Sequence, residues 1–212
     1  GSGKSTIVKL IERFYDATAG TVTVDGVDVR DLPQAALRAQ LGYVPQKAFL
    51  FSGTIETNVA YADAAMGEER VERALACAQA LGFVNEREDG VDAAVAQGGS
   101  NVSGGQRQRL AIARALAADA RAYLFDDSFS ALDYQTDAAL RQAMAHDLGD
   151  VTQVIVAQRI SSIRHADCIV VLDEGRVVGQ GTHDELMASC EEYREIAYSQ
   201  LTAEELEGGD AA

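Results

Sequence analysis

The chain has 212 residues, 47% of them hydrophobic and 24% charged, which supplies a packed core and disfavours disorder along most of its length. With 18 basic and 33 acidic residues its net charge is -15, which argues against partners held by neutralising nucleic-acid phosphates. Cys77, Cys168 and Cys190 form no C-x-x-C pair, so neither a disulfide framework nor a thiolate zinc site is indicated, no apolar run reaches the roughly 18 residues that span a bilayer, and no signal peptide is read.

In chain order, Gly1-Ser2-Gly3-Lys4-Ser5-Thr6 reads as the end of a phosphate-binding loop opening into a helix. Two glycines let backbone N–H groups face an anion, and the following helix points its positive end at the same place. Lys4 adds a mobile cation for the outer phosphates, and the Ser5 hydroxyl is placed to ligate Mg²⁺. Ile7, Leu10, Ile11 and Phe14 fall at i, i+3, i+4 and i+7 and predict one apolar helix face. The six residues alone also fit a glycine-rich turn with an incidental lysine. The full motif, G-x-x-x-x-G-K-[ST], would place its first glycine and the strand before it upstream of residue 1, so the expectation is a fragment cut within its own motif.

Residues 21–24 and 27–29 flank Asp25-Gly26 and predict a hairpin, followed by a short helix or turn over 31–39 and a strand over 41–44. From Gln46 the texture becomes helical, with helices predicted over 68–81 and 107–116; residues 46–109 read as a helical lobe inserted in an α/β core made of 1–45 and 110–201. In that core, strands are predicted over 122–125, 153–157 and 168–172, helices over 135–146 and 184–201, and a turn at Asp173-Glu174-Gly175 leads into residues 176–178. Such alternation predicts a mostly parallel sheet with ligands at the carboxyl ends of its strands. The segment 202–212 is acidic and expected to be a flexible tail.

Two further stretches carry chemistry. Tyr123-Leu124-Phe125-Asp126 supplies an acid at the end of a buried strand, suited to Mg²⁺. Ser103-Gly104-Gly105-Gln106 opens a helix and reads as a second anion cradle, which one nucleotide does not need; it suits a nucleotide held by another subunit.

With these residues in order, the whole chain resembles the nucleotide-binding domain of ATP-binding cassette (ABC) transporters. The resemblance rests on the phosphate loop Gly1 to Thr6, Gln46 in Tyr43-Val44-Pro45-Gln46 as the Q-loop glutamine, and Val102 to Gln106 as the signature, with Val102 in place of the usual leucine. Asp126 ends the Walker B strand, and Ser130-Ala131-Leu132-Asp133 forms the D-loop. Leu50-Phe51-Ser52-Gly53-Thr54-Ile55 with Asn58-Val59, and Gly181-Thr182-His183 with Glu185-Leu186, are similar to the exporter branch. The resemblance implies a P-loop NTPase (RecA-like) α/β core with an inserted helical signature subdomain. It implies ATP and Mg²⁺ as cofactors, with ATP contacts from Gly1 to Thr6, Gln46, Ser103 to Gln106 and Asp133, and metal contacts from Ser5, Gln46 and Asp126. The partners implied are a second nucleotide-binding domain and a fused membrane domain that holds the chain at the cytoplasmic face of the membrane.

Two positions depart from the family pattern. The residue after the metal-site aspartate is usually a glutamate that polarises the attacking water; here it is Asp127, with the register fixed by Asp133 seven residues after Asp126. The switch position, usually histidine in Ala-His-Arg, is Gln158 in Ala157-Gln158-Arg159, which donates a hydrogen bond but carries no proton to exchange near neutral pH. His146, His165 and His183 do not replace it. Gln97 stands where exporters often carry an acidic residue. The pattern implies a site that binds ATP and turns it over slowly, in one subunit of a heterodimeric exporter whose active site lies on a non-identical partner. The alternatives are a fully active homodimer, a soluble ABC-type ATPase, a purely regulatory ATP-binding subunit, and a P-loop kinase, which would leave the Ser103 to Gln106 helix without a purpose.

Overall fold

The computed structural model of the chain describes residues 2–200; Gly1, Leu201 and the acidic segment 202–212 lie outside the described residues. Helix α1 (Lys4–Ile11) begins where Gly3 adopts a left-handed conformation with φ 92°, and Thr6 N–H makes a first helical bond to Gly3 C=O at 3.0 Å. It ends where Arg13 turns left-handed and Phe14 N–H reaches back to Lys9 C=O at 2.8 Å. The buried face differs from the expected one by about one residue. Val8 and Glu12 are buried and Ile11 is packed between them, whereas Ile7 and Phe14 are exposed. An eight-residue helix with apolar groups on several sides has its buried face chosen by where the sheet lies.

The predicted hairpin forms from β1 (Thr23–Val24) and β2 (Val27–Asp28), antiparallel across Asp25 and Gly26, both with positive φ as a two-residue primed turn requires. Helix α2 (Gln34–Arg38) starts after Pro33, and β3 (Leu41–Val44) follows. The next segment holds elements that the sequence reading missed. Strand β4 (Gly53–Thr54) precedes α3 (Ile55–Val59), which is closed by a capping box between Thr54 and Thr57. The helix expected over 68–81 is α4 (Glu68–Cys77), which stops short because Gln79 takes a left-handed conformation, and a separate α5 (Leu81–Asn85) follows. Strand β5 (Ala94–Val95) pairs antiparallel with β4.

Helix α6 (Gly104–Ala117) runs unbroken into the region of β6 (Ala122–Asp126). It is followed by α7 (Tyr134–Leu148) and β7 (Thr152–Val156), then by β8 (Ile169–Asp173), β9 (Arg176–Gly181), α8 (His183–Ser189) and α9 (Glu191–Gln200). The expected single helix over 184–201 is interrupted by the extended Cys190.

Strands β3, β6 and β7 form a parallel sheet in the order β3-β6-β7. The expectation of a mostly parallel sheet holds for these three alone, since β8 and β9 form a separate antiparallel pair. One apolar cluster joins α3, α4 and α6 to the face of β6 through Val59, Leu75, Leu110, Ile112 and Phe125, all almost fully buried. A second, on the other face, packs Val8 and Leu37 on Leu124. Alternate residues of β6 therefore point into opposite layers, which locks the register of the central strand.

Candidate active site

The register of the sheet assembles the site. Val44 lies opposite Phe125, and Asp126 lies opposite Val156, so three parallel strands end at one level. The residues that follow each of them, Gln46, Asp127 and Gln158, come out side by side at the carboxyl edge, where a parallel sheet presents ligand groups.

Asp126 is 4% exposed, and its Oδ1 accepts a hydrogen bond from the Ser5 hydroxyl at 2.7 Å. A hydroxyl and a carboxylate oxygen in contact, from the first turn of α1 and the end of β6, suit Mg²⁺, which prefers a few hard oxygen donors and takes the rest from water and phosphate. Among the described residues no group of three His, Cys, Asp or Glu side chains is gathered at metal-binding spacing. Lys4 Nζ–H donates to Ser2 Oγ at 2.8 Å, which folds its cation back across the phosphate loop. Among the described residues no hydrogen bond is made by the N–H groups of Lys4 and Ser5, and Gly3 has open space where a Cβ would stand, an arrangement that suits an anion.

Asp127 sits one residue beyond Asp126 with a left-handed backbone, φ 50°, unusual for a residue with a side chain. Its Oδ2 accepts from Gln158 Nε2 at 2.7 Å and from Gln46 Nε2 at 3.0 Å. The three side chains that the strand ends bring together are thus bonded to one another. Gln46 faces Asp127 and makes no contact with the Ser5–Asp126 pair among the described hydrogen bonds. Ser128, fully buried, donates its hydroxyl to Val44 C=O at 2.9 Å and fixes the turn after β6 against the end of β3.

Ser103 to Gln106 opens α6, as expected of a helix start. Ser103 Oγ accepts from Gln106 N–H and Gln106 Oε1 accepts from Ser103 N–H, both at 3.2 Å, in a capping box. Among the described residues nothing stands within 4 Å of where a Cβ on Gly104 would be, while a Cβ at Gly105 would stand 3.7 Å from Ala131 C=O. The signature therefore abuts the D-loop, and no hydrogen bond among the described residues joins it to the phosphate loop. Asp133 caps α7, accepting from Thr136 N–H at 2.9 Å and from the Thr136 hydroxyl at 2.7 Å; the backbone bond first, then the hydroxyl, hold its carboxyl below the usual range.

A family model described as ABC transporter matches residues 1–130. The chain belongs to the ABC transporter family. As an ABC nucleotide-binding domain it is 50% identical over 203 residues to an uncharacterized ABC transporter ATP-binding protein of Mycobacterium tuberculosis, covering 94% of this chain and 34% of that one. It is 41% identical over 194 residues to an ATP-dependent lipid A-core flippase of Desulfotalea psychrophila, covering 92% and 34%. A solved structure of a bacterial Atm1-family ABC exporter with ATP bound superposes with a TM-score of 0.90 at 38% identity, over 93% of this chain and 35% of that one. The chain thus spans about a third of the length of these relatives, and the α/β ABC fold with its P-loop core is the one expected.

Two residues of this ABC domain escaped attention as site components. Arg159 donates from Nη1 to Leu132 C=O at 3.2 Å and from Nη2 to Ser130 C=O at 3.0 Å, tying the switch loop to the D-loop. Arg141 on α7 pairs with the fully buried Asp137 at 3.0 Å and donates to Ser161 C=O at 2.6 Å. A residue beside the switch position is a signal for Arg159; Arg141 has none, being one more basic residue in a helix.

Proposed function

We propose that this chain is the ATP-driven motor domain of an exporter and that its own composite site is a slow one. Lys4, the loop N–H groups and the Ser103 to Gln106 cradle are assigned to ATP, and Ser5, Asp126 and Gln46 to Mg²⁺, which when bound neutralises phosphate charge. In this reading the phosphate loop Gly1 to Thr6 faces the signature of a second, non-identical domain, and the signature here completes that partner's site. Closure of the pair drives a membrane domain at the cytoplasmic face of the membrane. The division into a core, 1–45 and 110–201, and a helical lobe, 46–109, belongs to the same reading.

The observation that carries the slow site is the state of Asp127. Its carboxylate is about one methylene, roughly 1 Å, short of a glutamate's reach, which is enough to cost on the order of 10²-fold in a reaction governed by positioning. The amides of Gln158 and Gln46 converge on the same oxygen. Gln158 has no proton to exchange near neutral pH, so nothing at this corner replaces the lost base.

Support for a membrane-domain partner comes from an aromatic patch after the Q-loop. Phe49, Phe51 and Tyr61 are 45%, 40% and 61% exposed, with Phe51 and Tyr61 stacked at 4.5 Å. Arg114 lies over Phe51 and donates to Phe49 C=O at 2.8 Å, and the buried Asn58 binds both backbone groups of Phe51 at 2.9 Å. Such a braced apolar surface suits a protein partner.

The test is restoration. Asp127→Glu with Gln158→His in the full-length, assembled transporter is expected to raise ATP turnover at this site by about 10- to 100-fold. Fast turnover by the unaltered subunit as a pure homodimer would instead establish the active homodimer.

A further inference from the structure

We propose that Gln200, at the end of α9, is a positioning residue for the switch loop and hence for Gln158. This rests on the reading of Asp127 and Gln158 as the hydrolytic corner of the site.

Helix α9 presents Tyr193, Ala197 and Gln200 at i, i+4 and i+7, on one face. Tyr193 and Ala197 are buried in an apolar cluster with Leu186, Cys190 and, from the switch loop itself, Ile160. That packing seats the helix against the loop and brings the Gln200 carboxamide alongside its backbone. Oε1 accepts from Ile160 N–H at 2.9 Å, and Nε2 donates to Gln158 C=O at 2.8 Å. One planar amide thus engages a donor and an acceptor two residues apart, as a neighbouring strand would, and fixes the peptide units on either side of Arg159.

The remaining holds on this loop act elsewhere. Arg159 is tied to the D-loop carbonyls of Ser130 and Leu132, Arg141 holds Ser161 C=O, and the Ser162 hydroxyl donates to Asp137 at 3.3 Å. Among the described residues Gln200 is the side chain bonded directly to the backbone of Gln158, whose own side chain reaches Asp127 at 2.7 Å. A chain of contacts therefore runs from the C-terminal helix through the Gln158 backbone to the acid, and only a side chain with both a donor and an acceptor can make its first link.

The experiment uses the full-length subunit assembled with its partner, the partner's own ATP site silenced, and Mg-ATP as probe. For Gln200→Leu, single-turnover hydrolysis at this site is expected to slow about tenfold while the KM for ATP stays within about twofold. The Ile160 amide should exchange with solvent faster, and the melting temperature should hold within about 2 °C, since the residue is exposed and the packing face of α9 is untouched. Gln200→Glu keeps the acceptor for Ile160 and loses the donor to Gln158, so exchange at Ile160 should stay slow while the rate falls to an intermediate value. Equal exchange in wild type and Gln200→Leu would overturn the clamp, and faster exchange with an unchanged rate would overturn the positioning role. Failure of the unaltered subunit to bind Mg-ATP would instead overturn the ATP-site reading, with the clamp still judged by the exchange of Ile160.

Discussion

Glu12 follows the last turn of α1 with its side chain buried and its Oε2 without a hydrogen-bond partner among the described residues. Burial pushes its carboxyl up from 4.5 to about 7; the Arg38 guanidinium opposes this, and the charge of Asp126 adds to it. With the folded value above the unfolded one, the folded chain keeps a proton that the unfolded chain releases. The contribution of Glu12 to stability is therefore fully present below about pH 4.5 and is lost as pH rises through about 7. Glu12→Gln is expected to stabilise the domain by about 2 kcal/mol at pH 8 and by well under 1 kcal/mol at pH 5. Urea unfolding at both values checks this, and an equal effect at the two would refute it. Glu12 is a reminder that residue identity alone does not announce burial: a glutamate closing an amphipathic helix reads as a solvent-facing residue until the sheet is laid on that side.

At the scale of elements, the contact of β3, β6 and α6 depends on a single missing methyl group. Gly42 pairs with Tyr123 in register, and a Cβ there would stand 2.4 Å from Tyr123 Cδ1 and 3.2 Å from Ala115 C=O. The ring has little room to give, because the Tyr123 hydroxyl accepts from Ala120 N–H at 3.2 Å and donates to Leu116 C=O at 3.4 Å in a site only 2% exposed. Gly42→Ala is expected to cost about 2 kcal/mol or more, through a displaced ring and a weakened strand pair. Chemical denaturation measures it directly, and a loss under about 0.5 kcal/mol would mean that the ring moves freely. The helices that the sequence located are those long enough to show a helical texture, such as α4, α6 and α7. It missed β4, β5 and α3, of two, two and five residues, since no alternation or helical face can be read in so few positions. It also ran α4 on to residue 81, because nothing in Ala78-Gln79-Ala80 signals the left-handed turn at Gln79 that tertiary packing selects.

For the molecule as a whole, no hydrogen bond among the described residues joins the Ser103 to Gln106 segment to the loop before α1. Among the described residues nothing lies within 4 Å of a Cβ built on Gly104 or on Gly3. A paired arrangement in which each cradle faces its counterpart on a partner follows from the proposed function, and it separates the two sites energetically. In an assembled complex Lys4→Ala is expected to weaken nucleotide binding at this site while leaving at least about half of the total ATPase activity, because the signature here still completes the partner's site. Steady-state hydrolysis of the purified complex measures it; silence from Lys4→Ala alone would end the assignment of a slow site to this chain.

Local chemistry fixed much in advance. Gly3 before Lys4 and Ser5 dictates a left-handed entry to a helix with free N–H groups, Asp25-Gly26 dictates a primed turn, and an apolar run ending in Asp126 dictates a buried strand with an acid at its tip, because each depends on backbone preferences and burial within a few residues. What Asp127 touches was beyond that reach. Its two amide partners, Gln46 and Gln158, lie 81 and 31 residues away in the chain, and only the parallel register of β3, β6 and β7 brings their ends level. The same holds for Gln200, whose contact with the switch loop exists because α9 packs Tyr193 and Ala197 against Ile160, a choice made by the apolar cluster and written in no local pattern.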